Sequence, residues 1–245
     1  MSGITIFMYH QVGRFPPMEF HRASYCDVDR FRAQMRYLKV VGATVLSMTN
    51  VLQVLRGETP LPRCAVALTF DDGYENFYEN ALPILRQYNY PATAYILGAL
   101  TGGPAAWLDP GVVQPPLMSW SRIRDLPRYG IEVGSHGLNH KRLNGLDAKT
   151  LREEVTGSKT VIEDKLGLTV SHFCYPYGNH DLAALHAVAA AGYVSAVTCQ
   201  RGAATPDFDP LALPRKGVSF GDSIMRFAWK LHMKNEPKGP ALHRQ

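Results

Sequence analysis

At 245 residues the chain suits a single α/β domain and can bury a full core without disulfide or metal staples. Its hydrophobic content of 46%, charged content of 19% and net charge of +5 are those of a soluble globular protein. The basic residues are scattered and form no basic-aromatic stripe, which excludes an obvious nucleic-acid partner.

Ile4–Tyr9 reads as a buried strand that ends at His10. Asp27 caps an expected helix through Val41 with Phe31, Met35 and Leu38 on one face, and Gly42 ends it. A short strand over Thr44–Leu46 and a short helix over Thr49–Arg56 follow. The apolar run Ala65–Phe70 is the clearest buried strand of the chain, and it delivers Asp71, Asp72 and Gly73. Glu75–Tyr88 reads as helical, with Pro83 kinking it or starting a second piece. After a strand over Ala92–Leu97, the Gly- and Pro-rich stretch Gly98–Pro116 makes a long loop around Trp107, placed to act as a rim or lid. Ser119 or Ser121 then caps a helix to Arg128, and a strand over Ile131–Gly134 runs into Ser135–His140. A long amphipathic helix over Ala148–Leu166 carries Leu151, Val155, Ile162 and Leu166 on one stripe. Strands over Phe173–Tyr175 and Tyr193–Thr198 flank an alanine-rich helix over Asp181–Ala191.

Strands alternating with helices at this spacing predict a mainly parallel sheet or barrel, in which chemistry gathers at the C-terminal strand ends. His10, Asp71/Asp72, His136 and Tyr177 all fall there. Two adjacent acids at the end of a buried strand repel each other and are costly to desolvate. They are explained by a bound cation or by a carboxylate held for proton transfer, and, for one acid alone, equally by a helix cap. In SHGLNH, His136 and His140 stand four residues apart, so on a helical turn both rings reach one ion. An HxxxH pair is weak evidence alone; following a strand, beside a carboxylate pair, it suggests a catalytic metal with open positions. His21, His172, His180, His186, His232 and His243 lack such company and read as surface or capping residues.

TFDDGY, SHGLNH and YPYG, in that order, resemble the polysaccharide deacetylases, also called the NodB-homology domain or carbohydrate esterase family four. The resemblance runs from Ile4 to about Val218. It implies a distorted (β/α)7 barrel, hydrolysis of an N-acetyl group on an amino-sugar polysaccharide or oligosaccharide, and a divalent metal, zinc before cobalt, nickel or iron. By position, Asp71 matches the general base, and Asp72, His136 and His140 the metal ligands. Pro176 and Tyr177 match the third motif, where the Tyr177 backbone N–H helps hold the oxyanion.

Two departures stand out. The arginine expected three residues before Tyr177 is Cys174, read as a buried core thiol, and Arg215 is the candidate to supply the missing guanidinium. No late Leu-x-x-His follows Tyr177, but the first strand ends in His10. The chain therefore looks similar to the circularly permuted branch that deacetylates poly-N-acetylglucosamine, with His10 as the general acid. The Asp-Trp motif that orients this histidine has no clear counterpart; Asp207 and Asp209 lie in a Pro-rich loop.

The expected organisation is a catalytic domain over residues 1–220 and a basic amphipathic helix and tail over 221–245. In that helix Ile224, Phe227, Ala228 and Leu231 share one face, with Arg226, Lys230 and Lys234 elsewhere. Such a face either packs on the barrel, the commoner outcome, or rests weakly on an anionic membrane surface. Cys26, Cys64, Cys174 and Cys199 form no CxxC pair and no framework, which fits a reducing compartment. No leader pattern precedes Met1–Tyr9, so the expected location is the cytoplasm, although an exported chain trimmed of its leader reads the same. Competing readings are a deformylase or deacylase of a lipid-linked sugar on the same scaffold, and a non-catalytic saccharide-binding relative.

Overall fold

A computed structural model describes residues 3–17, 21–108, 113–239, 242 and 244. In chain order the strands are β1 (Thr5–Tyr9), β2 (Gln11–Gly13), β3 (Tyr25–Asp27), β4 (Thr44–Leu46) and β5 (Ala65–Phe70), then β6 (Ala92–Ile96), β7 (Ile131–Ser135), β8 (His172–Cys174), β9 (Ser195–Val197) and β10 (Lys216–Gly217). The helices are α1 (Val28–Val40), α2 (Met48–Leu55), α3 (Leu82–Tyr88) and α4 (Trp120–Asp125), then α5 (Ala148–Arg152), α6 (Ser158–Leu166), α7 (Leu182–Ala190) and α8 (Ile224–Met233).

All pairings in the main sheet are parallel, in the order β10-β1-β5-β6-β7-β8-β9. The first half of β5 also pairs with β4, and β2 pairs with β3 apart from the main sheet. The sheet curls because its two ends are linked by one stretch. Leu213 donates to the Ala196 carbonyl and accepts from Thr198, each at 2.9 Å, and three residues later Lys216 pairs with Phe7 of β1. Arg215 lies inside this closing stretch.

Side-chain alternation with a period of two sorts the strand residues into two layers. Val66, Leu68 and Phe70 of β5 join Phe7 and Tyr9 of β1, and against them pack Phe31, Met35 and Leu38 of α1 and Leu82 and Leu85 of α3. Each such side chain contributes about 1.5–3 kcal/mol by leaving water. The alternate residues Ile6, Ala67, Tyr95, Cys174 and Val197 form a separate inner cluster with Leu213. Small residues are required there: a Cβ on Gly134 would meet the Tyr95 ring at 2.4 Å and the His172 carbonyl at 2.9 Å.

The expected elements recur with shifts of a residue or two, and Asp27, Ser47, Ser119, Asp147 and Asp181 each cap a helix with the side chain. Pro83 stands in the first turn of α3 and so does start a second helical piece. A wide π-type turn over Phe77–Ala81 precedes it and absorbs the missing N–H. A second wide turn, Glu153–Gly157, joins α5 to α6. The 98–116 stretch is a loop, held by bridges between Pro104 and Pro116 and between Tyr74 and Leu117, with 109–112 outside the described residues.

Within the stretch after residue 220, α8 packs on the barrel. Phe227 stacks on Phe7 with ring centroids 4.5 Å apart, and both Phe227 and Leu231 belong to the main core. The face read above as a possible membrane contact is thus largely spent on packing. No helix among the described residues is long and apolar enough to cross a membrane.

Candidate active site

The strand ends bring His10 (after β1), Asp71 and Asp72 (after β5), His136 (after β7) and Tyr177 (after β8) to one end of the sheet. Asp72 Oδ1 lies 3.2 Å from His136 Nε2 and 3.3 Å from His140 Nε2, and all three residues are buried. Their ligand atoms all lie within 4.8 Å of one another. His136 Nδ1 sits 2.8 Å from the Cys174 carbonyl; with Nδ1–H donating there, the Nε2 lone pair faces Asp72. Asp72 Oδ1 and His140 Nδ1 are buried without a hydrogen-bond partner among the described residues. A carboxylate oxygen left unsatisfied between two imidazole nitrogens fits a divalent cation, as does the mixed nitrogen-oxygen donor set. Burial pushes the Asp72 carboxyl up, but the His136 and His140 rings beside it, with the charge of His10, hold it well below the usual carboxylate range.

The backbone is strained where these groups converge. Asp72, His140 and Tyr177 have φ of 74°, 61° and 59°. Each is a left-handed conformation that costs a residue with a Cβ about 1–2 kcal/mol. SHGLNH is not the expected helical turn but an irregular loop in which Gly137 also has positive φ, so the two rings meet through the loop's path. A residue the sequence reading missed holds that path. Buried Glu154 accepts from the backbone N–H of Leu138 (3.2 Å) and Asn139 (2.9 Å) and from the Asn139 amide (2.8 Å). The only hint in the sequence was an acid next to the inward stripe at Val155.

Asp71 is bound differently. Arg215 Nη1 donates to its Oδ1 and Nη2 to its Oδ2, each at 2.7 Å. The guanidinium is fully buried and makes three further contacts: Nε to the Thr198 carbonyl at 2.9 Å, Nη1 to Thr69 Oγ1 at 3.0 Å and Nη2 to Cys174 Sγ at 3.2 Å. Burial raises the Asp71 carboxyl and the Arg215 charge lowers it; the guanidinium wins, so Asp71 stays ionised below its ordinary range. Asp71, His136 and Cys174 also approach within 4.8 Å. A cation there would face Arg215, and burial pushes the Cys174 thiol up, so Cys174 serves as a wall under the guanidinium.

His10 Nε2 lies 3.9 Å from Asp71 Oδ2, with its side chain 18% exposed at the mouth. Its Nδ1 has no hydrogen-bond partner among the described residues, and Asp209 is engaged elsewhere by Arg244. Trp107 and Tyr177 flank His140, each with ring centroids 4.5 Å away, and Arg142 covers the Tyr177 ring at 4.0 Å. Gly178 makes the Tyr177 turn possible, since a Cβ there would meet Cys199 at 2.6 Å. His172 departs from the surface role expected of it. It is buried below the site, against Glu132, Thr49 and Ser195. His243 lies outside the described residues.

A family model described as polysaccharide deacetylase matches residues 58–196, more than half of the chain. The chain belongs to the polysaccharide deacetylase family. Its curated relatives in that family include YxkH of Bacillus subtilis (strain 168), 28% identical over 230 residues that span 91% of this chain and 74% of that protein. Poly-beta-1,6-N-acetyl-D-glucosamine N-deacetylase of Escherichia coli (strain K12) is 25% identical over 233 residues. The match covers 82% of this chain but only 34% of the Escherichia coli protein's length. The solved Streptococcus pyogenes deacetylase PplD, in complex with acetate, superposes with a TM-score of 0.81 at 24% identity, over 94% of this chain and 99% of that one. The curled parallel sheet is accordingly a (β/α) barrel of the NodB type.

Proposed function

We propose that this deacetylase is a metal-dependent hydrolase that removes N-acetyl groups from an amino-sugar polysaccharide, with poly-β-1,6-N-acetylglucosamine as the substrate class. The Escherichia coli relative's named activity supports that class. One observation carries the reading: a carboxylate locked by a buried guanidinium stands beside a buried Asp72, His136 and His140 cluster with converging donor atoms.

Asp72, His136 and His140 would hold the ion, for which zinc best suits two imidazoles and one carboxylate. When bound, such an ion activates water and polarises the acetyl carbonyl. Asp71 is the general base. Arg215 occupies one lone pair on each of its oxygens, and Oδ2 keeps another on the side of His10, where it takes the proton of the attacking water. His10, in its protonated form, donates from Nε2 to the departing sugar nitrogen. The 3.9 Å between His10 Nε2 and Asp71 Oδ2 brings acid and base to the same reacting centre. The Tyr177 N–H adds an oxyanion donor worth roughly 3 kcal/mol. Trp107 and Tyr177 shape the mouth around the sugar ring.

The test separates metal binding from turnover. Asp72→Ala and His136→Ala should lose both bound metal, by elemental analysis, and acetate release from N-acetylglucosamine oligomers. Asp71→Asn should keep its metal and lose about 10²–10⁴-fold in kcat. Full activity in Asp71→Asn would remove Asp71 from the role of base.

A further inference from the structure

Four of the exposed large apolar side chains among the described residues belong to α8. Ile224 opens the helix, and Met225, Trp229 and Met233, at 77%, 52% and 68% exposure, repeat every four residues along its outer face. This stripe is distinct from the face that packs on the barrel through Phe227 and Leu231. Beside it opens a cavity of about 540 Å³ lined by Arg22, Arg226, Lys230 and Lys234 with Trp229, against a single acid, Asp222.

The cations are held in place. Lys230 donates to Asp222 and to the Gly217 carbonyl, and Lys234 sits over the Trp229 ring, 4.3 Å from its centroid. Arg22 lies so close to Gly221 that a Cβ there would meet its guanidinium. Burial, and then the charges of Arg201, Lys230 and Arg226 against the opposing Asp222, lower the proton affinity of Lys234. One lining residue, Ser219, directly follows Val218, which donates to the Met8 carbonyl two residues before His10.

We propose that the outer face of α8 is a peripheral docking surface for an anionic lipid bilayer. Trp229, Met225 and Met233 enter the interface, and Arg22, Arg226 and Lys234 receive phosphate headgroups. Charge complementarity selects this occupant, because the pocket carries four cations to one acid. An indole beside long unbranched thioethers is suited to the headgroup boundary. A second copy of the chain is the weaker occupant: the patch offers on the order of a few hundred Å². A standard protein interface covers roughly 800 Å² per partner.

The full-length chain should sediment with phosphatidylcholine vesicles containing phosphatidylglycerol and remain in solution with phosphatidylcholine alone. Arg226→Glu with Lys234→Glu should lower partitioning by roughly fivefold per cation removed. Met225→Ser with Trp229→Ser should lower it comparably while leaving the melting temperature and acetate release from a soluble oligomer unchanged. The tryptophan emission should shift to the blue on vesicle addition, and Trp229→Phe should abolish the shift. No sedimentation, equal sedimentation with both vesicle types, or indifference to both pairs of substitutions would overturn the proposal. So would a dimer in solution that the Met225→Ser and Trp229→Ser pair dissolves.

Discussion

Arg215 shows how one residue can serve a motif from a distant part of the chain. A fully buried guanidinium is tolerable because its donors are matched: two to Asp71, one to the Thr198 carbonyl, one to Thr69 and one toward Cys174. Lysine could not reproduce that fork. Arg215→Met should destabilise the protein by about 3–5 kcal/mol in urea unfolding, because it leaves the Asp71 carboxylate buried without its partner. The sign on activity follows from the balance at Asp71, where burial raises the carboxyl and Arg215 lowers it. With Arg215 gone the raising influence is left, so the acid limb of the kcat/KM profile should move to higher pH. An unchanged limb would show that Arg215 does not tune the base. Asp71 and Asp72 were legible because a contiguous strand presents them. Arg215 was legible only as a candidate, since nothing local in LPRKGV says that this stretch closes the sheet. What steadies His10 was not legible, and no described side chain bonds its Nδ1.

At the scale of elements, the periodic patterns were read well and the irregular ones were not. A helical turn was the simplest way to bring two histidines at i and i+4 together, yet the structure uses a loop with positive φ at Gly137 and His140, fastened by Glu154. Loop conformations of this kind depend on partners remote in sequence, and Glu154 comes from the wide turn between α5 and α6. Glu154→Ala should therefore weaken metal affinity by roughly 10–100-fold, as measured by competition with a chelator, while touching no ligand directly.

A second pair, half-buried Glu132 and buried His172 at the N-terminal end of the strands, bears on stability instead. Glu132 accepts from the backbone N–H of Met48 (2.8 Å) and Thr49 (3.3 Å) at the start of α2, and from Thr93 Oγ1 at 3.1 Å, with His172 Nε2 3.6 Å away. Burial opposes charge on both groups. His172 is lowered by it, whereas the His172 interaction and hydrogen bonds hold Glu132 down. A lowered histidine takes up its proton mainly on unfolding, so stability should fall as pH drops below about 6.5. A lowered carboxylate adds a further loss as pH falls through the ordinary carboxylate range and below. His172→Gln should flatten the first part of that decline in melting temperature and leave the second. An unaltered slope between pH 7 and pH 5, on the order of that histidine range, would remove His172 as its source.

For the molecule as a whole, composition and the alternation of strands with helices were enough to reach a mainly parallel α/β sheet or barrel, and the resemblance carried by the three motifs chose the barrel. The closure was not readable, because β9 and β10 are short and meet through an irregular stretch that resembles a loop. The place of α8 was ambiguous for another reason: its sequence is amphipathic on two sides, and only coordinates tell which side the barrel takes. Lys216 makes that choice firm. Its buried ammonium donates to the Lys230 and Leu231 carbonyls and to Asn235 Oδ1, at 2.7, 3.3 and 2.8 Å, and so ties β10 to the end of the helix. A chain ending at Phe220 would strip Phe227 and Leu231 from the core, a loss of about 3–6 kcal/mol at 1.5–3 kcal/mol each. It would also remove three of the four acceptors of the Lys216 ammonium, leaving Thr5 Oγ1. Against a typical total stability of about 5–15 kcal/mol, the truncated chain should melt roughly 6–24 °C below the full chain. A cooperative melt within a few degrees of the full chain would mean instead that the barrel folds without its last helix.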